Sequence, residues 1–330
     1  MKKTFYKRQV VFIILLALIP FFCCACDNLK GEELKNETKN KLVVEYIDVG
    51  QGDCSLINLP DGKTMIIDTG GKEESIYKIV SQRIRLYTDT IDYLVLTHPD
   101  IAHISNAHKI LQEYKVKKAF IPRINKKELY PTFNEIYNLL IEKGVEVNIS
   151  KSFLDLSTED YTLTFLTPSE NSAYSSYLDF NSSLLPTASM ENNISPIIYL
   201  EYSGIRFLFT GDAESSQEKV VMDYYNSNLY NVLYKTKRVN LEKIDFYKLG
   251  GHGSQNSNSE EFISLIKPKN VVISVGGINN ENCPSSKVLS HLSFVNPDYF
   301  LYRTDRDRTI KVIVNENGEY QVEKDIKGNT

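Results

Sequence analysis

From Leu42 onward the apolar residues recur with two alternating periods, two and about 3.6, which spell strands and helices in turn. Leu42–Val49 alternates and is β-rich, Cys54–Leu59 is a second short apolar segment, and Pro60-Asp61-Gly62-Lys63 marks a turn before Thr64–Ile67. Three antiparallel strands are therefore expected to open the domain. Glu74–Tyr87 places Ile76, Ile79, Val80 and Ile84 at helical spacing, and Asp92–Leu96 is an apolar run short enough for a buried strand. Helix Ile104–Tyr114, strand Lys118–Ile121, helix Pro131–Lys143 and strand Val145–Ile149 continue as crossover units. A second β-rich stretch follows: Tyr161–Leu166, Pro196–Tyr202 and Ile205–Phe209, the last two joined by a Ser203-Gly204 hairpin turn. Helix Ser215–Tyr225, strand Phe246–Leu249, helix Ser259–Ile266, strand Asn270–Val275, helix Ser285–Leu292 and strands near Phe300 and Ile310 complete the series. Ser169–Ser195, rich in Ser and Asn, reads as a long surface loop. The order predicts two similar halves, each giving one sheet, packed face to face with helices outside.

Composition narrows the class. Of 330 residues, 42% are apolar and 24% charged, which excludes a disordered or fibrous chain. The net charge of -4 offers no overall positive field to a nucleic acid. Lys2, Lys3, Lys7 and Arg8 precede an apolar run, Val10–Phe22, that ends at a Cys-rich patch, the pattern of a secretory signal peptide over residues 1–25. That run is short for a spanning helix, which needs about 20 apolar residues. Cys23-Cys24-Ala25-Cys26 resembles a bacterial lipobox, in which a small residue precedes a Cys that is lipidated. Cys26 fits with Ala25 before it; Cys23, Cys24 and cleavage without lipid are the alternatives. On this reading the protein is lipid-anchored on the extracellular face of the cell membrane, or secreted. Residues 26–41 form a flexible tether and residues 42–330 the folded domain. Loss of residues 1–25 removes four positive charges and takes the net charge from -4 to -8. Of the five cysteines only Cys54 and Cys283 lie beyond the patch, so no disulfide framework is expected.

The polar residues able to carry chemistry sit at strand ends. The strand ending at Leu96 runs into Thr97-His98-Pro99-Asp100-Ile101-Ala102-His103, two His and a carboxylate within six residues. In an extended loop His98 and Asp100 point the same way, and His103 turns back from the first helical turn to meet them. Nitrogen and carboxylate ligands together suit zinc, manganese or iron. Alone, the heptapeptide reads equally as a helix start with Asp100 as its cap. Ile205–Phe209 ends at Thr210-Gly211-Asp212, and Phe246–Leu249 at Gly250-Gly251-His252-Gly253-Ser254. Alone, Asp212 reads as the N-cap of the helix at Ser215 and His252 as a turn residue. Three such residues after three apolar strands are what a cleft at the carboxyl edges of the sheets requires.

Taken in order, these segments resemble the motifs of the metallo-β-lactamase-fold hydrolases, and within them the soluble hydrolase domain of ComEC-type competence proteins. Tyr46-Ile47-Asp48-Val49-Gly50-Gln51-Gly52-Asp53 is similar to the DVGQGD opening, Ile66-Ile67-Asp68-Thr69-Gly70 to the first superfamily motif, and His98 to His103 to HPDxDH. Thr210-Gly211-Asp212-Ala213-Glu214 is similar to TGDAE, Gly251-His252-Gly253-Ser254 to HHGS, and Asn192, Asn193 and Ser195 to an NxxS stretch. Tyr302-Arg303-Thr304-Asp305 with Thr309-Ile310 resembles the closing strand segment. The resemblance implies an αββα sandwich and a centre for one or two ions, Zn2+ or Mn2+. His98, Asp100, His103, Asp212 and His252 are the implied ligands, Asp212 bridging where two ions bind, with Asp212 and His252 central to catalysis. Asp48, Asp53, Asp68, Asn193 and Ser254 are implied at the cleft or as ligand-orienting residues. The implied reaction is hydrolysis of a phosphodiester by a metal-activated water.

The departures from these motifs bear on function. Ala102 replaces the second Asp of HPDxDH, Gly251 the first His of HHGS, and Arg308 a usual Gly, while Ile194 and Pro196 interrupt the NxxS stretch. Loss of the Asp takes charge from the second cation position. His108 lies about 140° round the helix from His103 and points elsewhere; Asn106 is better placed but a weak neutral ligand. His108 and His291 read as surface or packing residues. Two functions follow: a secreted, membrane-tethered metal-dependent hydrolase of phosphodiesters, extracellular DNA among them, or a catalytically impaired binding lipoprotein that keeps the fold. Lys235, Lys237, Arg238 and Lys243 form either a basic stripe for DNA or a solvated segment. No protein partner is indicated.

Overall fold

In the computed structural model, residues 38–170, 187–233, 239–277 and 282–325 are described. The leader, Cys23, Cys24 and Cys26, most of the tether, and Lys235, Lys237 and Arg238 lie outside them. β1 (Leu42–Tyr46), β2 (Ser55–Asn58) and β3 (Thr64–Ile67) form the expected antiparallel meander. β4 (Thr90–Val95), β5 (Lys115–Ile121) and β6 (Glu146–Ile149) then add in parallel. Helices Glu74–Tyr87, Ala107–Glu113 and Pro131–Glu142 make those crossovers. β7 (Leu154–Asp155), β8 (Tyr161–Phe165), β9 (Ile198–Tyr202) and β10 (Ile205–Phe209) are antiparallel neighbours. β11 (Phe246–Lys248), β12 (Asn270–Ile273) and β13 (Phe300–Arg303) extend that sheet in parallel. β14 (Ile310–Val314) and β15 (Tyr320–Lys324) return to the edge of β1. The eight-stranded sheet runs β15-β14-β1-β2-β3-β4-β5-β6, and the seven-stranded one β13-β12-β11-β10-β9-β8-β7.

The period-two pattern sorts each strand between two cores. Leu42, Val44 and Tyr46 of β1, Met65 and Ile67 of β3, and Phe207 and Phe209 of β10 face the layer between the sheets. Val43 and Ile66 point the other way, into a core shared with Val80, Ile84, Ile110, Phe133 and Leu140 of the flanking helices. Leu208, Tyr247 and Val271 do the same on the far side, against Val220, Val221, Phe262 and Leu292. Strands covered on both faces must be apolar throughout, which is why the strand runs in the sequence are continuous. Tyr46–Phe209 and Phe120–Phe165, with ring centroids 5.9 and 5.3 Å apart, interdigitate across the sheets. The architecture is the expected αββα sandwich. Among the described residues no helix is long and apolar enough to cross a membrane.

Three expectations are revised. The helix expected over Ile104–Tyr114 is two, Ile101–Ile104 and Ala107–Glu113. Asn106 sits at the break, and its amide donates to the carbonyls of Thr69 and Gly71 at 3.1 and 2.5 Å. It ties helix to strand end rather than facing a ligand. Part of the loop expected over Ser169–Ser195 is helical, Ala188–Asn192, capped by the Thr187 hydroxyl. Finally, β15 is a strand that no apolar run marks, since its residues are mostly polar and exposed.

Candidate metal centre

The site assembles at the carboxyl ends of β3, β4, β10, β11 and β12, where parallel strands leave an open crevice. Each strand end supplies one group: Asp68 after β3, His98 after β4, Asp212 after β10, His252 after β11, and the Ser274 carbonyl after β12. His103 arrives from the short helix behind His98. Its carbonyl accepts from the Thr69 amide at 2.6 Å, which fixes that helix to the Asp68 loop. Gly52 makes the close approach of a third loop feasible. A β-carbon on Gly52 would lie 2.2 Å from the Ala102 carbonyl oxygen, and its φ of +137° suits glycine alone. Gly251 and His252 are both left-handed, at φ 53° and 56°. A β-carbon at position 251 would lie 3.2 Å from Ser254 Cβ and from Ser257 Oγ, a tight fit for any side chain there.

The three imidazoles are oriented alike. His103 Nδ1–H donates to Asp68 Oδ2 at 2.9 Å, and His252 Nδ1–H to the Ser274 carbonyl at 2.8 Å. The Thr97 hydroxyl donates to Asp68 Oδ2 at 2.7 Å and so accepts from His98 Nδ1–H at 3.0 Å; Ser195 Oγ stands 3.3 Å from the same nitrogen. With every Nδ1 engaged, the three Nε2 atoms are the ones that face Asp212 Oδ2, at 3.8 Å from His98, 3.5 Å from His103 and 3.8 Å from His252. Asp212 Oδ1 is buried and has no hydrogen-bond partner. Three imidazole nitrogens and a carboxylate converging on one point, each ring anchored through its other nitrogen, fit a divalent cation with N and O ligands. His98, His103 and Asp212 already bring donor atoms within 4.8 Å of one another.

The electrostatics agree with this geometry. Burial and the neighbouring His103 bring the His98 pKa down to about 4, so the ring is neutral and keeps a lone pair. Burial pulls His103 down too, but the Asp212 and Asp68 carboxylates outweigh it and hold its pKa well above the usual imidazole range. Burial pushes Asp212 up; His103 and His252 more than reverse this and keep it well below the usual carboxylate range. An ionised carboxylate is therefore built into the site. The Asp212 side chain keeps 12% exposure against 1 to 5% for the imidazoles, which puts the opening on its side.

Other residues singled out by the sequence fall in different places. Asp100 is exposed, and its carboxylate accepts from the Ala102 amide at 2.7 Å, capping the helix. Its turn toward its own helix start keeps it out of the imidazole cluster, although its charge still reaches His98. Asp212 caps nothing; the residue preceding the helix Ser215–Asn226 is Glu214. Asp53 is buried in the cluster, its donor atoms grouped with those of Asp68 and His103. Asp48 pairs with Arg308 at 3.0 Å and accepts from the Gly50 amide, outside the cluster. Asn193 accepts from the Glu214 amide at 3.2 Å and the Ser216 hydroxyl at 2.6 Å, a strap between loops. Ser254 caps the following turn through Asn256 N at 3.2 Å. His291 pairs with Glu260 at the surface, and His108 is half-buried on its helix. Cys54 and Cys283 are buried and form no disulfide among the described residues.

Thr97, Ser195 and Lys248 were missed. Lys248 is 2% exposed at the end of β11, bonded to Asp53 Oδ2 and, at 3.3 Å, to the Gly211 carbonyl. A lysine inside an otherwise apolar strand, four residues before His252, was the signal available in the sequence.

Residues 47–162 match the model of the Metallo-beta-lactamase superfamily. The two stacked sheets with outer helices are the αββα arrangement of the metallo-β-lactamase fold, and that fold implies divalent metal binding. The chain is similar to ComE operon protein 3 of Bacillus subtilis (strain 168), 29% identical over 284 residues that cover 81% of this chain and 32% of that protein. It is also similar to Recombination protein 2 of Haemophilus influenzae, 25% identical over 263 residues, 78% of this chain and 27% of that one. The chain thus spans about a third of the length of the curated relatives it matches. Among solved structures, the metallo-beta-lactamase fold protein YhfI from Bacillus subtilis aligns at 8% identity over 85% of this chain and 99% of its own, with a TM-score of 0.47.

Proposed function

We propose that the chain is a metal-dependent hydrolase of phosphodiesters, secreted and tethered to the membrane through a lipid on Cys26, with extracellular DNA as the first substrate to test. The observation that carries the reading is the convergence of three imidazole Nε2 atoms on Asp212 Oδ2. His98, His103, His252 and Asp212 would hold the cation, Zn2+ or Mn2+ by the donor set. Bound there, such an ion supplies Lewis acidity toward the ester and a water of lowered pKa. Asp68 and Thr97 hold the rings of His103 and His98, and the Ser274 carbonyl holds that of His252. Asp212 contributes charge rather than a proton, because its carboxyl is held ionised. Burial of the imidazoles keeps bulk water from their Nε2 atoms and leaves access from the Asp212 side.

A second reading, a binding lipoprotein with an impaired site, is favoured by Ala102 and by the exposed position of Asp100. Turnover separates the two. Full-length protein in detergent, supplied with Zn2+ or Mn2+, is assayed on bis(p-nitrophenyl) phosphate and on single- and double-stranded DNA. Cleavage that chelator and His252→Ala both abolish is expected; no cleavage with the cation bound would overturn the hydrolase and leave the binding lipoprotein.

A further inference from the structure

Arg308 holds a backbone conformation that its side chain does not favour. At φ 62° and ψ −147° it occupies a region open essentially to glycine. Such strain persists where the surroundings fix it, and it gathers at sites that bind or react. Here the neighbours do fix it. The Arg308 amide donates to the Thr304 carbonyl at 3.1 Å, and the hydroxyl of the next residue, Thr309, accepts the Asp48 amide at 3.2 Å. One guanidinium nitrogen lies 3.0 Å from Asp48 Oδ2, and Asp48 is its one partner among the described residues. A guanidinium carries five N–H donors, so the pair aims the group and leaves donors to spare. The arginine side chain is 41% exposed against 17% for Asp48, so an incoming anion meets the cation first.

Strand directions place that group on the rim of the centre. β1 and β3 are both antiparallel to β2 and so run the same way, and β14 is antiparallel to β1. The carboxyl end of β1, which leads to Asp48, and the amino end of β14, which follows Arg308, therefore lie on the edge where β3 delivers Asp68. β13 runs parallel with β10, β11 and β12 and leads into the turn Thr304–Asp307 on that same edge. The loop Asp48–Asp53 joins the two places. Asp48 meets Arg308, Gln51 accepts from the Gly276 amide after β12 at 3.0 Å, and the carboxylate of Asp53 groups with Asp68 and His103. β14 is three strands from β3, about 14 Å at the usual spacing. That is too far to share one phosphate with an ion held by the imidazoles. A polynucleotide strand, which advances about 3.4 Å per nucleotide in a duplex and further when extended, brings another of its phosphates there within a few nucleotides.

We propose that Arg308 is a specificity residue that binds a phosphate of a polynucleotide substrate a few nucleotides from the bond cut, an inference that rests on the phosphodiesterase reading above. A chain of net charge -4 repels a polyanion as a whole, so a cation fixed at the crevice is what lets a strand lie across the centre. A planar fork of donors suits a phosphate, and the strained backbone is retained to present it.

The test compares full-length protein in detergent, loaded with Zn2+ or Mn2+, on a single-stranded oligonucleotide and on bis(p-nitrophenyl) phosphate, which has no neighbouring phosphate. Arg308→Gly relieves strain and should fold. Its kcat/KM on the oligonucleotide, relative to that on the small ester, should fall at least about fivefold, through KM rather than kcat. Binding of the labelled oligonucleotide to chelator-treated protein, read by fluorescence anisotropy across a salt series, gives a second readout without turnover. The slope of log affinity against log salt should shrink by about 0.7 in Arg308→Gly, one phosphate contact to a single strand, and stay unchanged in Arg308→Lys. An equal loss on both esters, no loss, or an unchanged slope in Arg308→Gly would overturn the proposal and leave the hydrolase standing. So would a wild type that cleaves the small ester but neither cuts nor binds the oligonucleotide. If the wild type cleaves neither, the hydrolase reading falls and the slope alone decides the role of Arg308, absent binding overturning it too.

Discussion

Asp68 Oδ2 accepts the Nδ1–H of His103 at 2.9 Å and, on the same oxygen, the hydroxyl of Thr97 at 2.7 Å. The Thr97 hydroxyl in turn accepts from His98. One fully buried carboxylate therefore sets the orientation of two imidazoles on separate elements. Asp68→Asn keeps the size and can still accept, but removes the charge and one oxygen acceptor. It is expected to fold and to lose about 10- to 100-fold in cation affinity. Calorimetry checks this; affinity within about twofold of wild type would contradict it.

Removal of the cation should invert the pH dependence of stability above about pH 7. In the metal-free protein the His103 pKa lies well above its ordinary 6.5, held there by Asp212 and Asp68 against the effect of burial. A raised folded-state pKa gives stability that is complete below 6.5 and lost as pH rises through the raised value. Asp212, lowered well below 3.8, adds stability present above 3.8 and lost as pH falls through the lowered value. Chelated protein should accordingly melt at falling temperatures as pH rises past about 7, while His98, lowered to about 4, weakens it as pH falls below 6.5. Cation-loaded protein should weaken on acidification instead, because protons compete for the imidazoles. Melting curves between about pH 7 and about pH 9, with His103→Gln as control, decide; parallel trends with and without chelator would contradict the assignment.

Gly52 is a packing requirement of the site. A methyl group there would meet the Ala102 carbonyl at 2.2 Å, with backbone on both sides. Gly52→Ala should cost about 2 to 4 kcal/mol of stability, combining overpacking with an unfavourable φ, and should displace the helix that carries His103. Denaturant unfolding beside a cation titration measures both losses. Unchanged values would show that the loop and helix move apart freely.

Arg308, where glycine is usual in the resemblance drawn from the sequence, stands at φ 62° and ψ −147°, a conformation that suits glycine. Its ion pair with Asp48 is 3.0 Å long, but the side chain is 41% exposed, so the pair contributes little. Arg308→Gly should therefore raise stability by about 1 kcal/mol and leave cation affinity unaltered. A loss of stability on chemical denaturation would mean that the Asp48 pair outweighs the backbone strain.

The scaffold was legible because its strands are buried on both faces and its helices on one. Helix Glu74–Tyr87 and strands Thr64–Ile67 and Ile205–Phe209 fall where their apolar periods place them. His98, His103, Asp212 and His252 were legible as polar residues directly after apolar strands or at the following helix start. Asp100 was not, since a capping bond to its own helix competes with the extended geometry that would aim it beside His98. Lys248 was hidden for a different reason. Its partner Asp53 is 195 positions away, and only the stacking of strand ends reveals that a charged residue in an apolar strand is paired. The break at Asn106 likewise depends on carbonyls of a distant loop.

The most direct test of the centre is the metal content of full-length protein purified without chelator, by elemental mass spectrometry, beside Asp212→Ala. One or two equivalents of zinc or manganese in the wild type and less than about a tenth of that in the variant is the predicted result, because all three imidazoles converge on Asp212 Oδ2. A wild type without metal even after reconstitution, or a variant that keeps its full equivalent, would contradict it.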